Sequence, residues 1–277
     1  MDKASVESQL GIAMCEAQDT EEMFWLRQND DLQSQMLLGQ KLVSAYRYKE
    51  AAAVWENAAA RFDVGADLYL KLGGAYLTVR SFDNAKKAYE KYLVMGGDEK
   101  SYSYPMGIWH YLKGEYKTAA ELFEKCVPCD GEMMIALIYW HCLSLLRAEI
   151  SSGEVDHIRN LRTNESKFRE LPFLKYYTKD LDVGHHTAYK NAVALIAGEK
   201  DLSKALEELE KEDDDLNYCI YAYGVYVYLK VKESSNSSKT NGLPSASSGE
   251  FLKKILKRNK MWPCISYIAA WNDKLCQ

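Results

Sequence analysis

The sequence has few helix breakers. Five prolines and sixteen glycines are spread over 277 residues, and long stretches consist of Ala, Leu, Glu, Lys and Met, a composition that favours helix. No positive charge excess is present: 35 basic residues face 40 acidic ones, for a formal net charge of −5. Nothing electrostatic therefore points to a nucleic-acid partner. No basic segment followed by an apolar core opens the chain at Met1-Asp2-Lys3-Ala4-Ser5-Val6-Glu7, so no signal peptide is expected. The longest apolar stretch, Met133 to Leu146, is interrupted by His141. It is expected to be too short for a hydrocarbon core of ~30 Å, so no membrane span is expected. Seven cysteines is an odd number, which suits reduced thiols in the cytoplasm. The sequons at Asn164 and Asn236 would then carry no glycan. No P-loop, GxSxG, HExxH or dinucleotide fingerprint occurs. The reading is of a non-enzyme with no catalytic residues, no cofactor and no metal.

What the sequence does have is a period. Three segments align without a gap. Leu38-Gly39, Leu42, Tyr48, Ala51, Trp55 and Ala58 form the first. Leu72-Gly73, Tyr76, Phe82, Ala85, Tyr89 and Tyr92 form the second, and Met106-Gly107, His110, Tyr116, Ala119, Phe123 and Cys126 the third. Glycines at 39, 73 and 107 and alanines at 51, 85 and 119 both recur every 34 residues. Small residues at these two positions let two helices of one hairpin approach closely. The aromatic four residues after each alanine lies one turn later on the same helix face and is expected to fill the gap to the next hairpin. The turns read Tyr46-Arg47-Tyr48, Arg80-Ser81-Phe82 and Gly114-Glu115-Tyr116. Gly114 supplies a left-handed residue cheaply, while Tyr46 and Arg80 are expected to adopt that conformation under local strain.

This pattern resembles the tetratricopeptide repeat (TPR) family, with its 34-residue period and its L-G-x-x-Y…A-x-x-x-F core. Seven positions recur in three tandem copies, which makes the match specific. The resemblance implies an all-α fold, an α-solenoid of stacked antiparallel helix hairpins with capping helices. Residues 1–31 are expected to cap it, with Met23-Phe24-Trp25-Leu26 packing on the first repeat. Three clear repeats span 32–133, and a degenerate fourth repeat with an irregular helical segment spans 134–190. Divergent C-terminal helical repeats span 191–277, with a flexible loop at 233–249. Two departures from the family pattern stand out. Gly97 and Gly131 replace the usual proline between repeats, and Pro105 falls in a first helix, which is therefore expected to begin near Tyr104. His141 stands where a fourth repeat glycine would be. The run Ile220 to Tyr228 alternates like a strand but is read as helix, because a lone strand would leave unpaired edges.

In the family's geometry the second, fifth, ninth, twelfth and thirteenth repeat positions face the concave groove. The resemblance thus points to Met36, Gln40, Leu70, Leu77, Tyr104, Ile108 and Tyr111 as partner-binding residues. In the degenerate fourth repeat the same positions are Ile135, Ile138, Cys142, Leu145 and Leu146. This end is apolar enough that the chain's own C-terminal half is expected to fill it. Chaperone-binding family members clamp a C-terminal carboxylate with Lys, Arg and Asn. Met36, Gln40, Lys71, Ser101 and Pro105 stand at those positions here, so no chaperone tail is expected.

The function implied is a protein–protein interaction scaffold or adaptor that holds a segment with apolar anchors, as a subunit of a larger complex. The alternative is a sensor responsive to a peptide or small molecule. Two constellations contain residue types that ligate metals. Cys126 and Cys129 with His141 and Cys142 supply four zinc-type ligands, but Cys126 occupies the small core position of its repeat. His185-His186, near Asp180 and Asp182, reads as a solvated turn.

Overall fold

Short polar side chains set several helix starts. Thr20 Oγ1 accepts the Met23 N–H at 3.2 Å, and Asp31 accepts that of Ser34 at 2.9 Å. Asp98, Asp130 and Asp214 accept the N–H groups of Ser101, Met133 and Asn217 at 2.8, 2.8 and 2.7 Å. Each satisfies a donor that the first helical turn leaves without a partner. The computed structural model describes residues 18–152, 171–178, 180–234 and 247–275. Among them it is all-α, with no strand. The helices are α1 (Glu21–Gln28), α2 (Leu32–Ser44), α3 (Tyr48–Arg61), α4 (Asp67–Thr78), α5 (Phe82–Val94), α6 (Glu99–Leu112), α7 (Tyr116–Glu124), α8 (Gly131–Ser152), α9 (Thr187–Ile196), α10 (Leu202–Glu210), α11 (Asp215–Ser234), α12 (Ser248–Lys257) and α13 (Ile265–Leu275). Short 3-10 turns span Pro172–Tyr176 and Asn259–Met261. The chain forms two units, Met1–Trp109 and His110–Cys276.

In the first unit, α2 pairs with α3 and α4 with α5 as helix hairpins. The repeat glycines have a clear cause. A Cβ at Gly39 would lie 2.1 Å from Trp55 Nε1, and one at Gly73 would lie 2.2 Å from the Tyr89 ring. The aromatics after Ala51 and Ala85 therefore lie across their own hairpins, on the repeat glycine. Trp55 Nε1 also donates to the Met36 carbonyl at 3.3 Å. Ala51 and Ala85 are fully buried. The turns close alike: the N–H of Arg47 bonds to the Leu42 carbonyl and that of Ser81 to the Tyr76 carbonyl, both at 2.8 Å. Tyr46 and Arg80 each have φ +61°, as the turn chemistry predicts.

Two expectations change here, and a third feature gains its cause. Helix α6 begins at Glu99, not near Tyr104, because Asp98 caps its first turn and the helix runs through Pro105. In α1, Met23 enters the core and Leu26 packs against it, but Phe24 and Trp25 point outward, edge to face with each other. Gly97 stands in the proline position because the Tyr92 ring occupies the space a side chain would take, with the Tyr92 hydroxyl accepting the Asp98 N–H at 2.9 Å. Residues 1–17 of the expected N-terminal cap lie outside the described residues.

The second unit is built around α8 and α11. Helix α8 is 22 residues long and apolar enough to cross a membrane, longer than the Met133–Leu146 stretch suggests. It is instead mostly buried by its own chain: Leu137, Ile138, Tyr139, Trp140 and Leu143 are fully enclosed. Helix α11 is buried along nearly its whole length and is helical through the alternating run. Its Gly224 meets α9, where a Cβ would come within 2.7 Å of Ala192 Cβ. Of the expected loop 233–249, residues 235–246 lie outside the described residues. Its two ends are helical and joined, since Ser248 donates its N–H and hydroxyl to the Glu233 carboxylate at 2.7 and 2.6 Å. Residues 153–170 of the irregular segment also lie outside the described residues.

Candidate partner-binding face

The first-helix positions divide by unit. In Met1–Trp109, Gln40 is exposed, and Met36, Leu70 and Tyr104 are half-buried. Met36 leans on the core from its edge. Leu77 and Ile108 are buried, with 4% and 2% of their surface exposed, and so offer no contact area. Beside Leu77, Thr78 turns its hydroxyl back to the Gly74 carbonyl at 2.9 Å. Gly74 itself has nothing within 4 Å of a notional Cβ, so α4 has room for a side chain at this one position. The N-terminal edge of the unit is charged. Arg27 and Arg47 both reach Asp19, and Arg47 also forks onto Glu50 at 2.7 Å through each of two nitrogens. The Arg27 hydrogen bond holds the Asp19 carboxyl at about 2, and Arg47 reinforces it against partial burial.

In His110–Cys276 the corresponding face is closed. Tyr111 is 3% exposed. Its hydroxyl lies 3.0 Å from that of Tyr223 on α11, and its ring packs edge-on against Trp140 and Tyr116. Tyr111 is therefore internal to the chain and no partner residue. Ile135, Ile138, Cys142 and Leu146 are fully buried as well, and Leu145 is half-buried. The C-terminal half covers this face, as its apolar character predicts, with α11 packed against α8: Tyr139 donates its hydroxyl to the Ile220 carbonyl at 2.8 Å.

A polar cluster that the sequence does not announce lies in the same region. Arg147 on α8 donates to both carboxylate oxygens of Asp273 on α13, at 3.2 and 2.6 Å. It also donates to the hydroxyls of Tyr116 and Tyr226, while Tyr223 donates to Asp273 at 2.9 Å. Burial pushes the hydroxyls of Tyr111 and Tyr223 well above their ordinary range, so they act as neutral donors. Arg147 and Asp273 lie far apart in the chain, and each alone resembles a solvated surface residue. Only the abundance of tyrosine on α11 hinted at polar packing.

The cysteine constellation does not assemble. His141 is enclosed, with Nε2 3.0 Å from Glu124 and its ring stacked on Phe173 at 3.9 Å. That stacking accounts for histidine at the repeat-glycine position, since a flat ring from the 172–176 turn packs there. Burial lowers the His141 pKa despite Glu124, and burial raises that of the Cys142 thiol. Cys126 donates to the Leu122 carbonyl. Neither a protein-family model nor a curated protein matches this chain.

Proposed function

We propose that the chain is a TPR-type helical scaffold that binds a protein or peptide segment along the first-helix face of Met1–Trp109. The role is adaptor binding, not catalysis, in the cytoplasm and within a larger assembly. The partner carries apolar anchors and meets Met36, Gln40, Leu70 and Tyr104. One observation carries this reading: Leu38, Leu42, Leu68 and Leu72 close the core of the unit with Trp55 and the repeat alanine Ala51, and these four side chains, with Met36 at the core's edge, remain partly or fully accessible. Partly accessible apolar side chains presented by successive first helices are what a segment with hydrophobic anchors needs. The 34-residue recurrence of the positive-φ turn residue at 46, 80 and 114 supports the TPR reading.

The test is the double variant Leu70→Glu with Tyr104→Ala. Interface anchors commonly contribute ~2 kcal/mol or more, so affinity for a partner captured by the intact chain should fall roughly thirtyfold. Circular dichroism and the urea midpoint should stay close to those of the intact chain. Equal capture by both chains would remove this face as the site. Loss of folding would place the two side chains in the core.

A further inference from the structure

His185 and His186 lie side by side in the turn that leads into α9. Read as sequence, they belong to a solvated turn, but the fold adds a third donor, Glu132, from the first turn of α8. One ligand atom from each of Glu132, His185 and His186 lies within 4.8 Å of the other two. The His186 Nε2 to Glu132 Oε2 separation is 3.7 Å. Adjacent residues usually point their side chains apart, yet here the two imidazole rings are only 4.2 Å apart and inclined at 36°.

The backbone builds this arrangement. Gly184 has φ +49°, its N–H is accepted by Asp182 Oδ1 at 3.1 Å, and the His186 N–H closes the turn onto the Val183 carbonyl at 2.8 Å. Buried Val183 anchors it. Two glycines then bring the turn onto α8. A Cβ at Gly131 would lie 2.2 Å from the Asp182 carbonyl oxygen, and one at Gly184 would lie 1.9 Å from Glu132 Oε1. A side chain at Gly131 would push the backbone of the turn away from α8, and one at Gly184 would displace the Glu132 carboxylate from its present position. His186 is further held edge-on by Tyr189 at 5.7 Å.

We propose that Glu132, His185 and His186 form a binding site for a borderline divalent cation, with Zn2+ the occupant it fits best. Two imidazole nitrogens and one carboxylate oxygen suit zinc and its transition-metal neighbours, whereas Mg2+ and Ca2+ take oxygen donors. Tetrahedral bonds of ~2.0–2.2 Å place neighbouring donors ~3.4 Å apart. The His186–Glu132 pair already stands near that separation, and side-chain rotation supplies the rest. Glu132 and His185 are exposed, so an ion can enter from solvent. Three protein donors leave one tetrahedral position to water. The bound ion ties the start of α8 to the segment entering α9, both within His110–Cys276. This site is independent of the binding role proposed above.

The experiment titrates chelator-treated full-length chain with zinc chloride by calorimetry, follows melting temperature, and uses magnesium chloride as comparator. One Zn2+ per chain, a raised melting temperature and no response to Mg2+ are expected. Glu132→Gln and His186→Ala should each weaken zinc at least ~tenfold. Gly184→Ala should do the same with all three donors still present, while Cys126→Ser with Cys129→Ser should leave binding intact. Absence of zinc binding up to millimolar concentration overturns the proposal. So does binding that survives Glu132→Gln and His186→Ala but is lost with the cysteines. Cobalt(II) added to the unmutated chain decides the matter without any variant: intense visible d–d bands of tetrahedral cobalt with no near-ultraviolet sulfur-to-metal band support the site, and an intense thiolate band refutes it.

Discussion

In Met1–Trp109 the first helices keep Met36, Gln40, Leu70 and Tyr104 at least partly accessible and bury Leu77 and Ile108, whereas in His110–Cys276 Tyr111, Ile135, Ile138, Cys142 and Leu146 are buried and Leu145 alone is half-buried among the groove positions named. The difference follows from residue type. A face of mixed size and polarity is tolerated in water, but a continuous Ile, Cys and Leu face is not. The chain covers that face with α11, a helix apolar on all sides, as expected of an internal one. Charge is handled differently too. Arg27, Arg47, Asp19 and Glu50 pair at the edge of the first unit, while Arg147 and Asp273 pair inside the second.

The largest test of this contrast is Asp273→Asn. It leaves the buried Arg147 guanidinium with tyrosine hydroxyls but no counter-charge, and removing one partner of a buried pair costs about 3–5 kcal/mol. A urea midpoint that barely moves would mean the pair is hydrated in solution. The matched change in the other unit, Asp19→Asn, should cost ~1 kcal/mol or less, because the pair is partly solvated. The sign with pH is fixed: the Asp19 carboxyl is held at about 2, below its usual 3.8. Its contribution is therefore present above ~4 and fades as pH falls toward 2.

A second test uses two neighbouring glycines of α4. Gly73→Ala drives a methyl into the Tyr89 ring; overpacking costs ~1–3 kcal/mol, more than the ~0.5–1 kcal/mol that alanine gains over glycine in a helix. Gly74→Ala meets nothing within 4 Å and should stabilise by that smaller amount. Thermal melts of the two variants should move in opposite directions. Equal shifts would show that Tyr89 does not rest on Gly73.

The hairpin core was legible because it is written in local periodicity. Gly39, Ala51 and Trp55, and their counterparts 34 residues on, belong together in any helical pairing. The all-helical content followed from the same pattern and from the scarcity of proline. What escaped was set by long-range packing. Ile108 and Leu77 occupy nominal groove positions, yet their burial depends on neighbours that a repeat template does not specify. Tyr111 required knowing that α11 returns to it. The start of α6 was misplaced because the Asp98 cap outweighs the missing N–H of Pro105. The Glu132–His185–His186 cluster was invisible because its carboxylate comes from a different helix, brought near by two glycines that carry no metal signature.

The smallest expected effect concerns a turn that recurs in both units. Tyr46 has φ +61° and Gly114 has φ +80°, and in each turn the following N–H reaches the carbonyl five residues back, Arg47 to Leu42 and Glu115 to His110. A non-glycine residue in this left-handed region costs ~1–2 kcal/mol, and glycine returns part of that through the greater freedom of the unfolded chain. Tyr46 is 51% exposed, so its ring contributes little packing. Tyr46→Gly should therefore raise stability by up to about 1 kcal/mol, seen as a higher urea midpoint with unchanged slope. Gly114→Ala isolates the backbone term, since nothing lies within 4 Å of a Cβ there, and it should lower stability by a similar amount. If Tyr46→Gly instead destabilises the chain, the Tyr46 ring packs in solution, and the turns of the two units are not equivalent.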